Sequence, residues 1–368
     1  MKHDRVAVIS SAQTELRPVW EGAQHIDLIS AVVSEVFKGT GLTLEDVDFV
    51  FDSGSDVLDG RSISNCGFLG AMGAHHKEES RIEEDGLWAA HYGMMKISAG
   101  AAKVGLIIAY SKPSEAEVGK FYSSQVEPFF QRPVGFDQYA ACGLQAQAWL
   151  AESSLSTLDL AILAARRWSD AASRGLVQID EIPDVKMIEG APIVASPLTK
   201  LMMARPVDGA VAILISNEEV ARRISRTPVW ITGAGTSTDR HSFASRSRGK
   251  LDACTAAGAM ARKNAGWSDG KVDAAEVSSA SAAAELMVIE ALGIAEAADA
   301  VNGDAAINLS GGTLPADPIM ASGLVRLAEV SRQLMWPEKY GLKSPRRALA
   351  HGSGGVGMQS HCVMALEV

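Results

Sequence analysis

A strand–helix–turn–strand order that occurs twice constrains the fold more than any other feature of the sequence. Apolar runs predict strands at Val6–Ile9 and, about 223 residues later, at Val229–Ile231. A helical pattern follows each run, and the residues after each helix repeat with an offset of 225. The matching residues are Lys38, Gly41, Val47 and Asp48 in the first copy and Lys263, Gly266, Val272 and Asp273 in the second. This duplication predicts two similar α/β halves joined near residues 217–227.

The second half contains a glycine turn between a predicted strand and a predicted buried helix. Ala305–Ile307 is a short apolar run, and Gly311 and Gly312 follow it. Paired glycines let a backbone approach another backbone or a ligand closely. The helical patterns over Leu87–Ala99 and Ala321–Leu334 lack a broad polar face, so we expect them to be the most buried helices. From the residues alone, two interpretations of this turn remain open. It is either a tight turn that caps a buried helix or a turn that binds a ligand.

Composition and charge restrict the partners of the chain. Its 368 residues are enough for two core-sized units, and 47% hydrophobic with 21% charged residues is ordinary for a globular protein. A net charge of −10 argues against nucleic acid and anionic membranes as partners. No apolar run reaches transmembrane length and the first residues do not resemble a secretory signal, so we expect a cytoplasmic protein.

The cysteines are scattered along the chain without paired spacing. They are Cys66, Cys142, Cys254 and Cys362. This distribution favours free thiols in a reducing compartment over a disulfide framework or a zinc site. The sequence therefore predicts no metal site.

Four segments at family-like spacing resemble the thiolase superfamily. Asn308–Gly323 resembles the signature in which Asn-x-x-Gly-Gly leads to Gly-His-Pro and Gly-Ala-Ser-Gly. Glu276–Gly293 resembles the family segment in which Glu-Val is followed by Glu-Leu and then by Glu-x-Leu-Gly. His351–Gly355 resembles the C-terminal glycine loop, and Ser196–Ala210 resembles the stretch that leads to Asp-Gly-Ala. The chain is most similar to the lipid-transfer (SCP2-type) thiolases of lipid metabolism. The resemblance implies a five-layered αβαβα thiolase fold, built from two duplicated βα halves with mixed five-stranded sheets.

The resemblance also implies how the chain divides. The first half takes residues 1–111 and 197–227, and the second half takes residues 228–368. Residues 112–196 correspond to the loop region that covers the acyl-CoA in thiolases. The same segment is compatible with an ordinary insertion whose aromatic side chains form a small core of their own.

The resemblance places four candidate catalytic residues. Glu83 matches the nucleophilic cysteine at the start of a buried helix, and Ser278 and Asp317 match two catalytic histidines. His351 keeps the residue type of the C-terminal loop. An aspartate can act as a base, although each of the four positions also has a structural interpretation as a helix start, a polar turn or a loop residue. The glycines expected to form oxyanion or acyl-CoA loops are Gly311, Gly312, Gly354 and Gly355.

These residue types argue against classical cysteine-dependent thiolase activity. The positions of the nucleophile, an activating histidine and the helix cysteine hold Glu83, Asp317 and Leu327, and neither Cys66 nor Cys142 begins the buried helix. We therefore expect no acyl-enzyme. The related steroid side-chain aldolases also lack the cysteine, and they cleave a β-hydroxyacyl-CoA by a retro-aldol step that uses tyrosines. Retro-aldol carbon–carbon chemistry, a catalytically silent acyl-CoA-binding subunit of a hetero-oligomeric thiolase or acyltransferase, and acyl transfer through an unexpected residue all remain open.

The resemblance further implies the ligand and the partners. A coenzyme A thioester is expected as substrate or ligand, with no covalently bound cofactor. Thiolases pair through the edge strands of the first half, so we expect a homodimer, or a heterodimer with a thiolase paralogue, that buries Val104–Tyr110. The aldolase subunits work with a small OB-fold partner of the DUF35 type, which makes such a protein a second candidate partner.

Overall fold

The computed structural model describes residues 4–268 and 270–368. Within these residues the strands are β1 (Val6–Gln13), β2 (Phe49–Ser53), β3 (Glu78–Ile82), β4 (Val104–Ser111), β5 (Ile193–Ala195), β6 (Leu198–Thr199), β7 (Gly209–Asn217), β8 (Val229–Thr238), β9 (Ala274–Val277), β10 (Arg347–Gly354) and β11 (Ser360–Glu367). The helices are α1 (His25–Val36), α2 (Asp56–Asp59), α3 (Leu69–Met72), α4 (Gly86–Ser98), α5 (Val118–Gln125), α6 (Gln138–Glu152), α7 (Thr157–Arg174), α8 (Val185–Gly190), α9 (Glu218–Ile224), α10 (Asp252–Ala265), α11 (Ala282–Leu292), α12 (Ala297–Asn302) and α13 (Ser322–Met335).

The duplication predicted from the sequence is visible in the order of the strands. The large sheet runs β3-β2-β4-β7-β1 through the first half and β8-β11-β10-β9 through the second. Each half begins at the centre, where β1 and β8 pair antiparallel over Val6–Val8, and continues outwards in corresponding order. The fifth strand of the second half is reduced to a single bridge between Ala275 and Ile307. The sheet is therefore continuous and nine-stranded, where the sequence predicted two sheets of five strands.

Helices divide the structure into the five layers expected from the sequence. Helix α1 packs on the outer side of β1, β4 and β7, and α10 packs on the outer side of β8 and β11. Helices α4 and α13 contact each other and strands of both halves, so they form the central layer. Three large apolar clusters fill the spaces between these layers.

The central helices differ in burial. Every residue of α13 from Ser322 to Ser331 is buried, as the sequence predicted. Helix α4 is buried over its first turns, but Tyr92 and Met95 are more than 40% exposed, because its second half reaches the surface. Helix α11, which lies in the outer layer, is more completely buried than α4 because α6, α7 and α10 cover it.

The two outer helices use different packing. Helix α1 presents branched side chains to the sheet, including Ile29 and Val33. Helix α10 packs almost directly on the backbone of β8, because a side chain at Gly233 or Gly235 would lie 2.3 Å from a carbonyl oxygen of the helix. The glycines of β8 therefore allow α10 to lie directly against its strand.

The interface strand proposed from the sequence is not at an edge. Val104–Tyr110 falls in β4, which pairs with β2 on one side and β7 on the other and is buried along its whole length. The edge strand of the first half is β3. The correction follows from the crossover order, which a list of predicted strands does not reveal.

Helices α6 and α7, from residues 112–196, join the core of the second half. Apolar residues of α6 and α7 belong to the same cluster as those of α10 and α11, and Trp149 donates a 2.7 Å hydrogen bond to Glu290 of α11. Part of the aromatic segment remains at the surface, since Phe129 and Phe130 are 79% and 82% exposed. None of the described helices is long and apolar enough to cross a membrane.

Candidate functional site

A cavity of about 420 Å³ opens at the N-terminal ends of the two central helices. Residues before α4, the turn after β9, the loop before α13 and the hairpin between β10 and β11 line it, and α5 closes one side. The positive ends of two helix dipoles therefore point towards one space. The carboxyl groups that line the cavity belong to Glu83, Glu84, Asp85 and Asp317.

Asp85 links the starts of both central helices. One carboxylate oxygen accepts a 2.9 Å hydrogen bond from Leu87 N in α4, and the other accepts a 2.7 Å bond from Gly323 N in α13. The side chain is 3% exposed and lies against Gly323 and Gly352, where a Cβ atom would collide with it. Burial raises the pKa of Asp85 to about 7 despite the two backbone donors.

Hydrogen bonds fix the backbone of Asp317, whereas its carboxylate has one side-chain hydrogen-bond partner among the described residues. The backbone of Asp317 pairs with Arg205 and Val207, and these bonds fix the loop before α13. Its carboxylate accepts a short hydrogen bond from Ser322 Oγ, and burial raises its pKa to about 6. Asp317 also lines a second cavity of about 180 Å³, so this carboxylate stands between two spaces.

The turn after β9 supplies hydroxyl groups to the cavity. Thr313 Oγ1 donates to the carbonyl of Ser279 at 2.6 Å and accepts from its amide at 2.9 Å. This pair fixes the position of Ser278, whose buried Oγ has no hydrogen-bond partner among the described residues. A buried hydroxyl without a protein partner is available to hydrogen-bond a ligand.

Glu83 and Glu84 turn in different directions. The Glu83 side chain is 51% exposed, and its carboxylate accepts hydrogen bonds from Arg81 Nε at 3.1 Å and Asp56 N at 3.2 Å. Glu84 points towards Ser360 Oγ at 3.4 Å, and burial raises its pKa. The residue matched to the thiolase nucleophile is therefore exposed and paired with the largely buried Arg81, while its neighbours Glu84 and Asp85 face the interior.

The structure places His351 outside the cavity. Its Nε2 lies 2.9 Å from His361 Nδ1 and 3.9 Å from Cys254 Sγ, and all three side chains are buried between β10, β11 and α10. The neighbouring Gly352 faces Asp85, so His351 on the same strand faces the opposite layer. A hydrogen-bonded pair of Asp317 and His351 is thus absent from the described residues.

Only one of the two candidate glycine loops lines the cavity. Gly354 and Gly355 line the cavity. Gly311 and Gly312 have φ angles of +99° and +68°, and a Cβ at Gly311 would lie 2.8 Å from the Arg167 carbonyl of α7. The Gly-Gly pair therefore allows the loop to turn closely against α7, while Thr313 is the residue that reaches the cavity.

Sequence reasoning missed several cavity residues. Tyr122 comes from α5 and lies between the two cavities beside Asp317, and burial raises its pKa well above the usual value. Only Glu83 of the acidic triplet matched a catalytic position of the family, so Glu84 and Asp85 were not proposed as site residues. The acidic triplet before Gly86 was the available signal, because acidic side chains at the start of a buried helix must either cap it or face a cavity.

The cysteines do not line either cavity within the described residues. Cys66 is exposed, and Cys142, Cys254 and Cys362 are buried free thiols. Cys362 is next to the start of α4, with its Sγ 3.9 Å from the Leu87 carbonyl. Burial, reinforced by Asp85 and Glu84, raises its pKa well above the usual value, which disfavours the reactive thiolate.

Comparison with known proteins agrees with this architecture. Residues 235–367 match the family described as thiolase C-terminal domain-like. The chain is 22% identical over 374 aligned positions to an acetyl-CoA acetyltransferase of Methanothermobacter thermautotrophicus (strain Delta H), covering 96% of this chain and 97% of that protein. The solved structure of an Ltp2-ChsH2(DUF35) aldolase has a TM-score of 0.82 at 17% identity, covering 100% of this chain and 99% of the other. Human mitochondrial 3-ketoacyl-CoA thiolase has a TM-score of 0.78 at 16% identity, with the same coverage.

The family match, the full-length relative and the two structural neighbours define a thiolase-like protein. The findings support a member of the thiolase superfamily: residues 235–367 match the thiolase C-terminal domain-like family, and the whole chain shares the thiolase fold.

Proposed function

We propose that this chain binds a coenzyme A thioester and cleaves the Cα–Cβ bond of a β-hydroxyacyl-CoA without forming an acyl-enzyme. The observation that carries the proposal is the composition of the cavity. Three interior carboxyl groups and the unpartnered Ser278 hydroxyl meet there, and the described lining residues include no cysteine. Such a set suits proton transfer and enolate stabilisation rather than covalent acyl transfer.

The proposed reaction is a retro-aldol cleavage. Asp317 accepts the proton of the β-hydroxyl, a carbonyl group forms at Cβ, and the electron pair of the breaking bond passes to Cα. The Ser278 hydroxyl donates a hydrogen bond to the thioester oxygen as it gains negative charge. Asp317 then returns its proton to Cα, so the products are a ketone or aldehyde and a shorter acyl-CoA.

The charge of the surface beside the cavity favours binding of a ligand that carries several phosphates. Thr238 and His241 line the cavity, and the segment that follows is basic although the whole chain carries a net charge of −10. Its cationic residues are Arg240, Arg246, Arg248 and Lys250. A local positive segment next to a cavity favours an anionic group such as the phosphates of coenzyme A.

We further propose an OB-fold partner of the DUF35 type, which docks beside the entrance. The structural neighbour is a complex whose name contains DUF35. On this chain, Phe129, Phe130 and Val134 are each about 80% exposed. Their turn is ordered, because the Glu127 carboxylate accepts hydrogen bonds from three successive backbone amides. An ordered and exposed apolar patch is typical of a protein interface.

A dimer through the edge strand β3 completes the proposal. Strand β3 pairs with β2 on one side, and its other side is free within the described chain. An exposed strand edge is a template for pairing with a second chain. Light scattering at micromolar concentration should give twice the monomer mass, and a monomer would contradict this part.

Purified protein, alone and with its genomic-neighbour OB-fold protein, should be incubated with a panel of β-hydroxyacyl-CoAs. Mass spectrometry of the products should show a free carbonyl compound and a shorter acyl-CoA in equal amounts. Intact mass of the protein after incubation with acetoacetyl-CoA should show no adduct. Tight binding of acyl-CoA with no turnover in either preparation would instead favour a catalytically silent subunit, and an adduct on Cys66 or Cys142 would favour acyl transfer.

A further inference from the structure

The outer layer of the second half contains three metal-binding side chains that the proposed reaction does not use. Cys254 lies in the first turn of α10, His351 on β10 and His361 on β11. His361 is paired with Ser353, two residues from His351, so both imidazoles project from one face of the hairpin towards α10. Each side chain is at most 1% exposed, and their ligand atoms all lie within 4.8 Å of one another.

The geometry is close to that of a shared ion. His351 Nε2 lies 2.9 Å from His361 Nδ1 and 3.9 Å from Cys254 Sγ. Donor atoms around one ion, with metal–nitrogen distances near 2.0 Å and a metal–sulfur distance near 2.3 Å, are on the order of 3.3–3.8 Å apart. The two rings would separate by about half an ångström, and Cys254 Sγ, which lies within 4.8 Å of both ring nitrogens, would move towards the ion. The Nε2 atom of His351 therefore contacts both other side chains of the cluster.

We infer that Cys254, His351 and His361 form a three-coordinate site for a monovalent thiophilic metal ion, with Cu⁺ as the best-fitting ion. A thiolate and two neutral imidazoles carry one negative charge, so a monovalent ion makes the buried site neutral. A divalent ion leaves one positive charge in the layer, near the Arg262 guanidinium that already faces Cys254. An uncompensated buried charge is strongly unfavourable. Thiolate and imidazole ligands also match the softness of Cu⁺.

Binding at this site requires one proton to leave. The Cys254 thiol loses its proton to solvent as the metal–sulfur bond forms, and both imidazoles remain neutral throughout. Burial lowers the pKa of His351 well below its usual value and that of His361 to about 4, so their ring nitrogens are not occupied by extra protons.

This site is separate from the catalytic proposal. Its residues lie on the face of β10 opposite Gly352, and they line neither cavity. Metal binding can therefore be present or absent whatever reaction the cavity performs.

The test is anaerobic titration of chelator-treated, full-length protein with Cu⁺ in competition with a chromophoric Cu⁺ chelator. Wild-type protein should take up one equivalent. Cys254→Ser and His361→Gln should each weaken binding at least 100-fold. Cys142→Ser is the matched control, because Cys142 is an equally buried thiol of the same apolar cluster. X-ray absorption of the loaded protein should show one sulfur and two nitrogen ligands.

A second measurement does not depend on the folding of variants. One equivalent of Cu⁺ should raise the thermal midpoint of the wild-type protein by several degrees, because a ligand that binds only the folded state stabilises it. No uptake by the wild type, unchanged uptake by Cys254→Ser, or uptake only of Zn²⁺ would overturn the inference. In each of those cases the cluster is a hydrogen-bonded histidine pair beside a buried thiol, or a site of a different charge.

Discussion

The starts of the two central helices are equivalent positions in the two halves, but their carboxylates are used differently. Asp85, before α4, has both oxygens bound to backbone amides of the two helices and is almost completely buried. Asp317, before α13, has Ser322 as its one described side-chain partner and borders two cavities. The carboxylate before the first central helix therefore holds both helices together, whereas the carboxylate in the loop before the second is available for chemistry.

The electrostatics of the two groups support this division. Burial is the largest influence on both, and it raises the pKa of Asp85 to about 7 and that of Asp317 to about 6. Asp85 also feels Asp317 and Glu84, which raise its pKa further. Near neutral pH the second-half carboxylate is mostly ionised and can accept a proton, while the first-half carboxylate is shared between its two forms.

The largest expected effect is loss of activity on Asp317→Asn. An amide cannot accept the β-hydroxyl proton, so kcat for β-hydroxyacyl-CoA cleavage should fall roughly 10²- to 10⁴-fold. In the wild type, kcat/KM should rise with pH through about 6, where the carboxylate ionises. Asp170→Asn is the control, because Asp170 is a half-buried carboxyl of α7 with a raised pKa that lies outside both cavities. Full activity of Asp317→Asn would remove Asp317 from the reaction.

The second effect concerns the packing around Asp85. In Gly323→Ala the new methyl group would lie 1.9 Å from an Asp85 oxygen and 2.9 Å from Leu87 Cβ, so the carboxylate must leave its position between the helices. We expect destabilisation of roughly 3 kcal/mol in denaturant unfolding. Gly119→Ala in α5 is the matched control, since it meets no atom within 4 Å and should stabilise the chain by about 0.5 kcal/mol. Equal stability of the two variants would show that Asp85 does not join the helices.

The third effect is a pH dependence of stability that separates the two carboxylates. A group whose pKa is higher in the folded than in the unfolded state favours folding below its unfolded value, and this contribution is lost as pH rises through the folded value. Asp85 should therefore lower wild-type stability by roughly 2–3 kcal/mol between about pH 5 and pH 8. Asp85→Asn should flatten the slope by that amount, and Asp317→Asn by only about 1 kcal/mol.

Denaturant unfolding at several pH values measures this difference in slope. The overall stability of each variant does not enter the comparison, so the lost hydrogen bond of Asp85→Asn does not obscure it. Identical slopes in the two variants would contradict the contrast between the carboxylates.

The fold was predictable because duplication and periodicity act over many residues. The repeated block around Asp48 and Asp273 predicted two halves, and the symmetric strand order confirms it. Which strand lay at the edge was not predictable, because β4 is buried on both faces and reads like any interior strand.

The site was less accessible to sequence reasoning because it depends on side-chain direction. Alignment could place an acid at the start of α4, but an offset of two residues decides whether it contacts Arg81, as Glu83 does, or caps the helix, as Asp85 does. His351 illustrates the same limit, since alternate residues of a strand face opposite layers and both layers are apolar here. Tyr122 came from a distant segment with no motif of its own.

The smallest effect tests the Ser278 hydroxyl in the cavity wall. Ser278→Ala removes a buried Oγ that has no described partner, so stability should stay equal or rise by up to about 1 kcal/mol. The same change removes a proposed donor to the thioester oxygen, so kcat should fall about 10-fold or more. Ser281→Ala is the control, because its hydroxyl caps α11 by accepting from Ala284 N at 3.2 Å, and its loss should reduce stability by about 1 kcal/mol. Opposite signs for stability and activity at Ser278 would identify a group kept for a ligand, whereas a parallel loss of both would make it a structural hydroxyl.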